Sequence, residues 1–207
     1  AFLLGATRTP GEACHAEDHM NEHVQIVREA DPSCKLPINM NQPVWRYMDI
    51  DKFTYLVEKE ALYLCRADRL QDRFEGRYSR QQITDMGTWL KSRGLHDVKN
   101  AEANYRAQTR KQTYISCWCM SDCDYDLMWK DYVRNPQGIA IKSTAIQLQA
   151  ICDQNVDHWP LDISVVTYYD QAAGQHINYD RLSPYLHKDS HFRLDTEIRI
   201  VEWGSSL

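Results

Sequence analysis

The sequence predicts an α+β fold: a mixed, mostly antiparallel sheet, either continuous or split, with peripheral helices and an N-terminal arm. Strand-like and helix-like segments are intermixed without the steady alternation of a doubly wound sheet. With 207 residues, 43% of them hydrophobic and 26% charged, the chain can bury one sizeable core. We therefore expect an arm over residues 1–42, a single domain over 43–203 and, at 204–207, a tail that resembles a cloning remnant.

The overall composition limits the kinds of partner. A formal net charge of −5 argues against broad nucleic-acid binding, although it is compatible with a local basic patch. No apolar run approaches the roughly 20 residues that span a bilayer, so we expect no membrane association. The seven cysteines lack the spacing of a disulfide scaffold, which favours a reducing compartment and a cytoplasmic location.

The arm carries one metal-like pattern. Proline steps interrupt residues 1–42, and a helix is predicted over residues 10–30. Within it His15, His19 and His23 recur at a spacing that places three imidazoles on one helical face, which suits a divalent metal ion. Because the sequence shows no second ligand cluster, a solvated polar face is the favoured interpretation.

The domain begins with a strand and continues with intermixed elements. Strands are predicted over residues 43–48, 62–67, 113–119, 138–142 and 163–169, with another in the closing segment 187–202. Helices are predicted after Asp49 or Asp51, over 78–93 and 98–108, after Asp124 or Asp126, and from Ser143 or Thr144 to about 151. Gly94 suits the C-terminal cap of the second helix.

The closing segment carries the densest run of opposite charges. At the strand period Ile198 and Ile200 point to one face, whereas Glu197 and Arg199 point to the other, with Asp195 just ahead. Charges along one strand face usually indicate solvent. A carboxylate held by a rigid strand is also a common way for a sheet to present an acid to a cleft, so the function depends on which case holds.

Three cysteines form a C-x-C-x3-C cluster, Cys117, Cys119 and Cys123. Strand alternation places Cys117 and Cys119 on one face, where small thiols pack well. Core packing is therefore the favoured interpretation, and a metal or reactive-thiol site is the alternative. The sequence lacks the signatures of P-loop, Rossmann, serine-hydrolase and zincin proteins.

Arg46 lies between Trp45 and Tyr47 in the first predicted strand. The alternation that buries the two aromatic side chains sends Arg46 to the opposite face. A guanidinium there suits bidentate contact with a phosphate, or a surface ion pair with an acid such as Glu58 or Glu60. The sequence leaves both roles open.

Several segments resemble one prokaryotic family. WRYM, LYLCRADRLQDRFEG, YISCWC, DLMWKDYVRNPQGIAI and HKDSHFRLDTEIRIV are similar, in this order, to the motifs of the group known as domain of unknown function 2971. The matching positions are Arg46, Tyr47, the loop 72–75, Met128, Trp129, Tyr132, Gly138, Lys188, Asp195, Glu197 and Arg199. The resemblance covers residues 44–201, and the loop 71–75 lacks the family's Asn and Pro.

The order of parts is more distantly similar to the ADP-ribosyltransferase fold, in which a late strand presents a glutamate, often in a Glu/Gln-x-Glu pair. Asp195-Thr196-Glu197 fits that spacing. The similarity implies NAD as the substrate and Glu197 as the carboxylate that stabilises the oxocarbenium-like transition state of nicotinamide–ribose cleavage. It also implies that Asp195 orients the acceptor.

The same similarity implies which residues hold NAD. Its diphosphate or adenosine ribose is expected at Arg46, with Arg66 as a further cation. Its nicotinamide is expected to stack on Tyr47, Tyr63 or Trp129. The partners are then a small-molecule nucleotide and an acceptor that the sequence does not identify.

Two other classes of function stay open. A non-enzymatic module would bind a nucleic acid or a partner protein through an anion-binding face made of Lys188, Arg193, Arg199, Arg66 and Arg69. In that module Asp72, Glu75 and Glu197 would form internal ion pairs. A metal-dependent phosphodiesterase would use Asp72, Glu75 and Glu197 as Mg²⁺ ligands. The transferase requires Arg46 and Glu197 in one cleft, whereas the phosphodiesterase requires the three acids to meet.

Overall fold

The computed structural model describes residues 31–72, 74–94, 98–124, 126–134, 137–154, 160–170 and 176–204. Its α+β architecture confirms the predicted fold class: a six-stranded antiparallel sheet, a separate two-stranded parallel sheet, and helices packed against both faces of the larger sheet. The predicted arm helix with His15, His19 and His23 lies outside the described residues.

The described residues form strands, α-helices and two 3-10 turns. The strands are β1 (Pro43–Asp49), β2 (Cys65–Arg66), β3 (Thr113–Met120), β4 (Gly138–Thr144), β5 (Leu161–Val165), β6 (Thr167–Tyr169), β7 (His187–Asp189) and β8 (Glu197–Trp203). The α-helices are α1 (Ile50–Lys59), α2 (Arg80–Ser92), α3 (Val98–Gln112), α4 (Asp126–Tyr132), α5 (Ala145–Gln154) and α6 (Ser183–Leu186), and 3-10 turns cover Ala67–Arg69 and Ser190–Asp195. The order in the larger sheet is β4-β1-β3-β8-β5, with β2 also paired to β3.

Three predicted boundaries are wrong. The strand predicted over 62–67 is reduced to β2, because the chain turns directly into the 3-10 turn Ala67–Arg69. The strand predicted over 163–169 divides at Val166, whose N–H donates to the carbonyl of Glu197 at 2.9 Å. Beyond that point β6 pairs with β7 in the second sheet. The helix predicted over 98–108 continues to Gln112.

One face of the larger sheet is apolar. Trp118, Ile198 and Ile200 are buried there and pack against Leu148 and Cys152 of α5. We call it the isoleucine face. The opposite face carries the intervening residues of the strands, and we call it the glutamate face because Glu197 of β8 points to it.

Two smaller apolar clusters cover the glutamate face. One joins Ile115 to Tyr185 and Leu186 of α6, and the other joins Cys119 to Met128 of α4. In the β3–β8 register Cys119 lies opposite Glu197, Cys117 opposite Arg199 and Ile115 opposite Val201. The charged residues of β8 therefore lie between the two clusters.

Candidate active site

Arg199 is the centre of a buried ion network on the glutamate face. Its side chain is 1% exposed. Nε donates to Oε2 of Glu197 at 2.7 Å, while Nη1 and Nη2 donate to Oε1 and Oε2 of Glu75 at 2.7 and 3.2 Å. Nη1 also donates to the backbone carbonyl of Tyr185 at 2.6 Å. A planar guanidinium suits this position, because its fixed N–H fork can bond two carboxylates at once.

Lys188 joins the network from β7. Its Nζ donates to Oε1 of Glu197 at 2.5 Å and to Oδ2 of Asp195 at 2.8 Å, so the two acids share one ammonium group. The ring centroid of Phe192 lies 4.5 Å from the same Nζ, and Phe192 is 38% exposed. The network therefore approaches solvent at the 3-10 turn, where Asp195 retains more exposure than Glu197.

A backbone kink brings the two acids together. Thr196 has a φ of 39°, in the left-handed region, and separates the 3-10 turn from β8. Its Oγ1 donates to the carbonyl of Met120 at 2.7 Å, which fixes the kink to the end of β3. The meeting of Asp195 and Glu197 at Lys188 thus depends on the turn and on Thr196 as well as on strand alternation.

The surroundings shift the pKa values of the two acids in opposite directions. Burial alone raises the pKa of Glu197, but Arg199 and Lys188 outweigh it and lower the pKa to about 2. Burial raises the pKa of Asp195, and Lys188 only partly offsets this. Burial also raises the pKa of Glu75 in spite of Arg199. Carboxyl groups with divergent pKa values are typical of a catalytic acid–base pair.

Two phenols and a thiol adjoin the carboxylates. Oη of Tyr168 accepts the backbone N–H of Glu197 at 2.9 Å, and burial raises the pKa of Tyr168. Burial and the charge of Glu197 raise the pKa of Tyr132, which is 38% exposed on α4. Burial raises the pKa of Cys117 to about 12. All three groups are therefore neutral at pH 7, and the phenols can donate O–H to a ligand.

An aromatic pair borders this face beside α4. Tyr47 and Trp129 meet edge to face, with ring centroids 5.2 Å apart and an interplanar angle of 77°. Both donate to Oδ1 of Asp124 at 2.8 Å, through the phenol and the indole N–H respectively. In the β1–β3 register Trp45 lies opposite Cys119, so Tyr47, two residues further along β1, points to the glutamate face.

In comparisons with family models, curated proteins and solved structures, nothing matches this chain significantly. The similarity to domain of unknown function 2971 therefore stays a prediction. Within the described ranges, no helix has the length and apolar character needed to cross a membrane.

The structure does not place Arg46 with Glu197. Arg46 lies on the isoleucine side of the sheet, where Nη1 donates to Oγ of Ser116 and Nη2 donates to the carbonyl of Tyr63 at 2.8 Å. Its guanidinium carbon lies 5.7 Å from the ring centroid of Trp118. The prediction that Arg46 and Glu197 share one cleft is therefore wrong. Strand alternation is the reason, because Arg46 points away from the face on which Tyr47 and Glu197 lie.

Arg66 and Tyr63 also lie apart from the network. In β2 Arg66 pairs with Tyr114 of β3, and its Nε and Nη2 donate to the two carboxylate oxygens of Asp68 at 2.6 and 3.0 Å. The backbone carbonyl of Tyr63 accepts a hydrogen bond from Arg46, so Tyr63 lies beside Arg46. Of the predicted site residues, the structure thus brings Asp195 and Glu197 together at Lys188. It places Tyr47 and Trp129 in a cluster with Cys119 on the same face, and it separates Arg46, Tyr63 and Arg66 from the network.

The sites predicted for the two alternative functions do not form as predicted either. Lys188 and Arg199 are buried against acids, so they do not form an open basic face with Arg193. Arg199 lies between Glu75 and Glu197, where a metal ion would have to bind. In the part of the chain that the structure describes, no group of His, Cys, Asp or Glu side chains is arranged to hold a metal ion.

The cysteine cluster divides between core and surface. Cys119 is buried, Cys117 is half-buried and lies on the same strand face, and Cys123 is exposed in the following loop. The strand-face prediction for Cys117 and Cys119 is confirmed. Because Cys117 is held as a neutral thiol, it does not resemble an activated nucleophile.

Sequence reasoning missed two members of the site and gave others different roles. Tyr168 was not predicted as a site residue, because the segment 163–169 contains no sequence signal for the break in the strand at Val166. The sequence marks Tyr132 as a motif position and as one of several aromatic residues that could stack on a ligand, without assigning it to the site. Glu75 was proposed as an ion-pair partner and as a metal ligand. The residue that follows it, Gly76, has a φ of 73°, and a glycine at this position is the sequence signal for an unusual loop conformation.

Proposed function

We propose that the chain is an ADP-ribosyltransferase-like enzyme that cleaves the nicotinamide–ribose bond of NAD at the cluster formed by Lys188, Asp195 and Glu197. One observation carries the proposal. Asp195 and Glu197 share a single ammonium group, yet the pKa of one is raised and that of the other is lowered. Functional sites are where such divergent pKa values occur most often.

The charge of the cluster suits a cationic transition state. Glu75, Asp195 and Glu197 face the two cations Lys188 and Arg199, so full ionisation leaves an excess of one negative charge. As the C1′–N bond breaks, its electron pair leaves with nicotinamide and positive charge develops on the ribose. A fixed excess of negative charge stabilises that state more than the ground state.

The two acids would have different roles. Glu197 is 3% exposed and has a cation on each oxygen, so it acts through its fixed charge and by holding Lys188. Asp195 lies nearer to solvent and has the raised pKa, which suits a general base. When water or an acceptor hydroxyl attacks C1′, its proton passes to Asp195 and then to solvent. The products are nicotinamide and an ADP-ribosyl group on oxygen.

Exposed rings could hold the nicotinamide near this centre. Phe192 and Tyr132 are each 38% exposed, and Trp129 lies on the same helix as Tyr132. These rings offer the stacking surface that the sequence prediction assigned to Tyr47, Tyr63 or Trp129. The diphosphate would have to be held outside the network, because Lys188 and Arg199 are already paired.

The test measures NAD binding by isothermal titration calorimetry and nicotinamide release by chromatography, on the full chain. We expect Asp195→Asn to keep NAD binding and to lower release at least about 100-fold, as loss of a general base does. Glu202→Gln is the matched control, because Glu202 lies on the same strand but points to the other face. If the wild-type protein neither binds NAD nor releases nicotinamide, the proposal is wrong.

A second candidate is a non-enzymatic module in which the network only joins segments of the chain. The observation that favours it is complete pairing: both oxygens of Glu75 and both oxygens of Glu197 accept from Lys188 or Arg199. Under this candidate Glu197→Gln lowers the free energy of unfolding, while the folded wild-type protein releases no nicotinamide.

A further inference from the structure

Tyr168 carries an unused hydrogen-bond donor beside the ion network. In β6 it pairs with Lys188 of β7, and its Oη accepts the backbone N–H of Glu197 at 2.9 Å. A phenol oxygen that accepts an N–H keeps its own O–H as a donor. Within the described ranges no group accepts a bond from this O–H, so it is available to a ligand.

Tyr132 brings a second phenol to the same charges. It lies one helical turn after Met128 of α4, which packs against Cys119, and Cys119 is paired with Glu197 across the strands. Burial raises the pKa of Tyr132, the carboxylate of Glu197 adds to the rise, and Lys188 partly offsets it. The O–H of Tyr132 makes no hydrogen bond with the described residues, although the residue is 38% exposed. This phenol is therefore a second donor that a ligand can reach.

Asp195 supplies an acceptor at the same place. Its Oδ2 accepts from Lys188 at 2.8 Å, but a carboxylate accepts up to about four hydrogen bonds, so Asp195 retains the capacity to accept more. Its side chain is 14% exposed, which lets a ligand reach it. Glu197 differs, because its two buried oxygens accept from Lys188 and Arg199. A ligand hydroxyl can therefore bond to Asp195 and to the phenols while the ion pairs of Glu197 stay intact.

Two phenol donors beside a carboxylate acceptor fit a neutral polyhydroxyl ligand. A hydroxyl group accepts from a phenol and donates to a carboxylate, whereas a simple anion only accepts and an ammonium group only donates. An anion is also opposed by the charge of the network, in which Glu75, Asp195 and Glu197 face two cations. The exposed ring of Phe192, 4.5 Å from Nζ of Lys188, remains for the apolar part of the ligand.

We propose that Tyr132 and Tyr168 bind the hydroxyl groups of a sugar ring and thereby determine the ligand specificity of the site at Asp195. The choice of ribose among sugars rests on the proposed function, in which the bond that breaks is at C1′ of a ribose. In that reaction the phenols hold the ribose hydroxyls while Asp195 acts at C1′. A 2-deoxy sugar lacks one of these hydroxyls, so it binds more weakly.

The test compares methyl β-D-ribofuranoside with its 2-deoxy analogue on the full chain, by ligand-observed NMR titration. We expect the deoxy sugar to bind about three- to tenfold more weakly, which is the effect of one hydrogen bond. Tyr132→Phe should weaken binding of the ribofuranoside by a similar factor and leave the Tm unchanged, because this hydroxyl makes no bond within the described chain.

Tyr105→Phe is the matched control and should bind the ribofuranoside as the wild type does. Tyr105 is 53% exposed and lies on α3, which leads into Thr113 at the other end of β3 from Cys119. A titration of ADP-ribose identifies the source of the sugar. The same dependence on Tyr132 with ADP-ribose indicates a sugar that is part of a nucleotide, whereas a dependence seen only with the ribofuranoside indicates a free sugar.

Nicotinamide release from NAD separates this inference from the proposed function. If the ribofuranoside binds with the expected dependence on Tyr132 but NAD releases no nicotinamide, the sugar site stands and the proposed function is wrong. If nicotinamide is released but Tyr132→Phe and Tyr105→Phe bind the ribofuranoside equally well, the sugar site is wrong and the proposed function stands. Equal binding of the deoxy analogue, or no saturable binding of either the ribofuranoside or ADP-ribose, would also overturn the inference.

Discussion

Arg46 and Glu197 lie on opposite faces of the same sheet. Arg46 bonds to Ser116 and to the carbonyl of Tyr63, while Glu197 bonds to Lys188 and Arg199. β1 and β8 both pair with β3, and in the observed register Arg46 and Glu197 project from opposite faces of the sheet. Only a shift of register would turn both side chains to one face. A ligand bound at Glu197 therefore does not meet Arg46.

Arg46 is accordingly expected to matter for stability and not for catalysis. Arg46→Met removes the hydrogen bonds to Ser116 and Tyr63 and should lower the free energy of unfolding by about 1–2 kcal/mol. Urea denaturation measures the loss. Nicotinamide release by the folded variant should equal that of the wild type. A large loss of release with unchanged stability would show instead that Arg46 takes part in catalysis.

The lowered pKa of Glu197 predicts a specific pH dependence of stability. Its pKa is 4.5 ordinarily and about 2 in the folded chain. The charged form is therefore favoured by folding, so the stabilisation is present above about pH 5 and is lost as the pH falls towards 2. The shift corresponds to roughly 3 kcal/mol. We expect the difference in unfolding free energy between wild type and Glu197→Gln to decrease over this window.

Glu202 is the control for that measurement. Burial raises its pKa, so its charged form is disfavoured by folding. The difference between wild type and Glu202→Gln should therefore change in favour of the wild type as the pH falls, which is the opposite sign. Parallel slopes for the two variants would show that the pH effect does not come from Glu197.

The local part of the site could be predicted from the sequence. Alternation placed Glu197 and Arg199 on one face of β8 and separated Arg46 from Tyr47, since the period of a strand is fixed by its backbone. The long-range part could not. Glu75 and Arg199 are 124 residues apart, and no local pattern records that they pair. The turn at Thr196 was also missed, because Thr rarely adopts a positive φ.

Gly76 is predicted to be intolerant of a side chain. It has a φ of 73°, and an added Cβ would lie 2.6 Å from Cε1 of the buried Tyr185. Gly76→Ala combines backbone strain with this clash and should cost about 2–4 kcal/mol of unfolding free energy. Gly94→Ala is the matched control, since its φ is 81° but nothing lies within 4 Å, so only strain of about 1 kcal/mol is expected. Equal Tm values for both variants would contradict the clash.

The cysteines should differ in reactivity. Burial raises the pKa of Cys117 to about 12, so roughly one thiol in 10⁴ is ionised at pH 8, and the thiolate is the reactive form. Cys123 is exposed. With iodoacetamide and peptide mapping by mass spectrometry, we expect alkylation of Cys123 in the folded protein and of Cys117 only in urea. Rapid alkylation of Cys117 without denaturant would contradict its raised pKa and support a reactive-thiol role.

Arg199 should be the most sensitive charged position in the network. Arg199→Leu leaves Glu75 and Glu197 buried without their shared cation, and breaking a buried ion pair in this way costs about 3–5 kcal/mol. Adding Glu75→Gln should restore part of the loss, because it removes one of the stranded charges. Arg193→Leu, at an exposed position of the neighbouring turn, should change the unfolding free energy by less than about 0.5 kcal/mol. A small effect of Arg199→Leu, or no recovery in the double variant, would show that water reaches the network and that its charges are not held in a low-dielectric site.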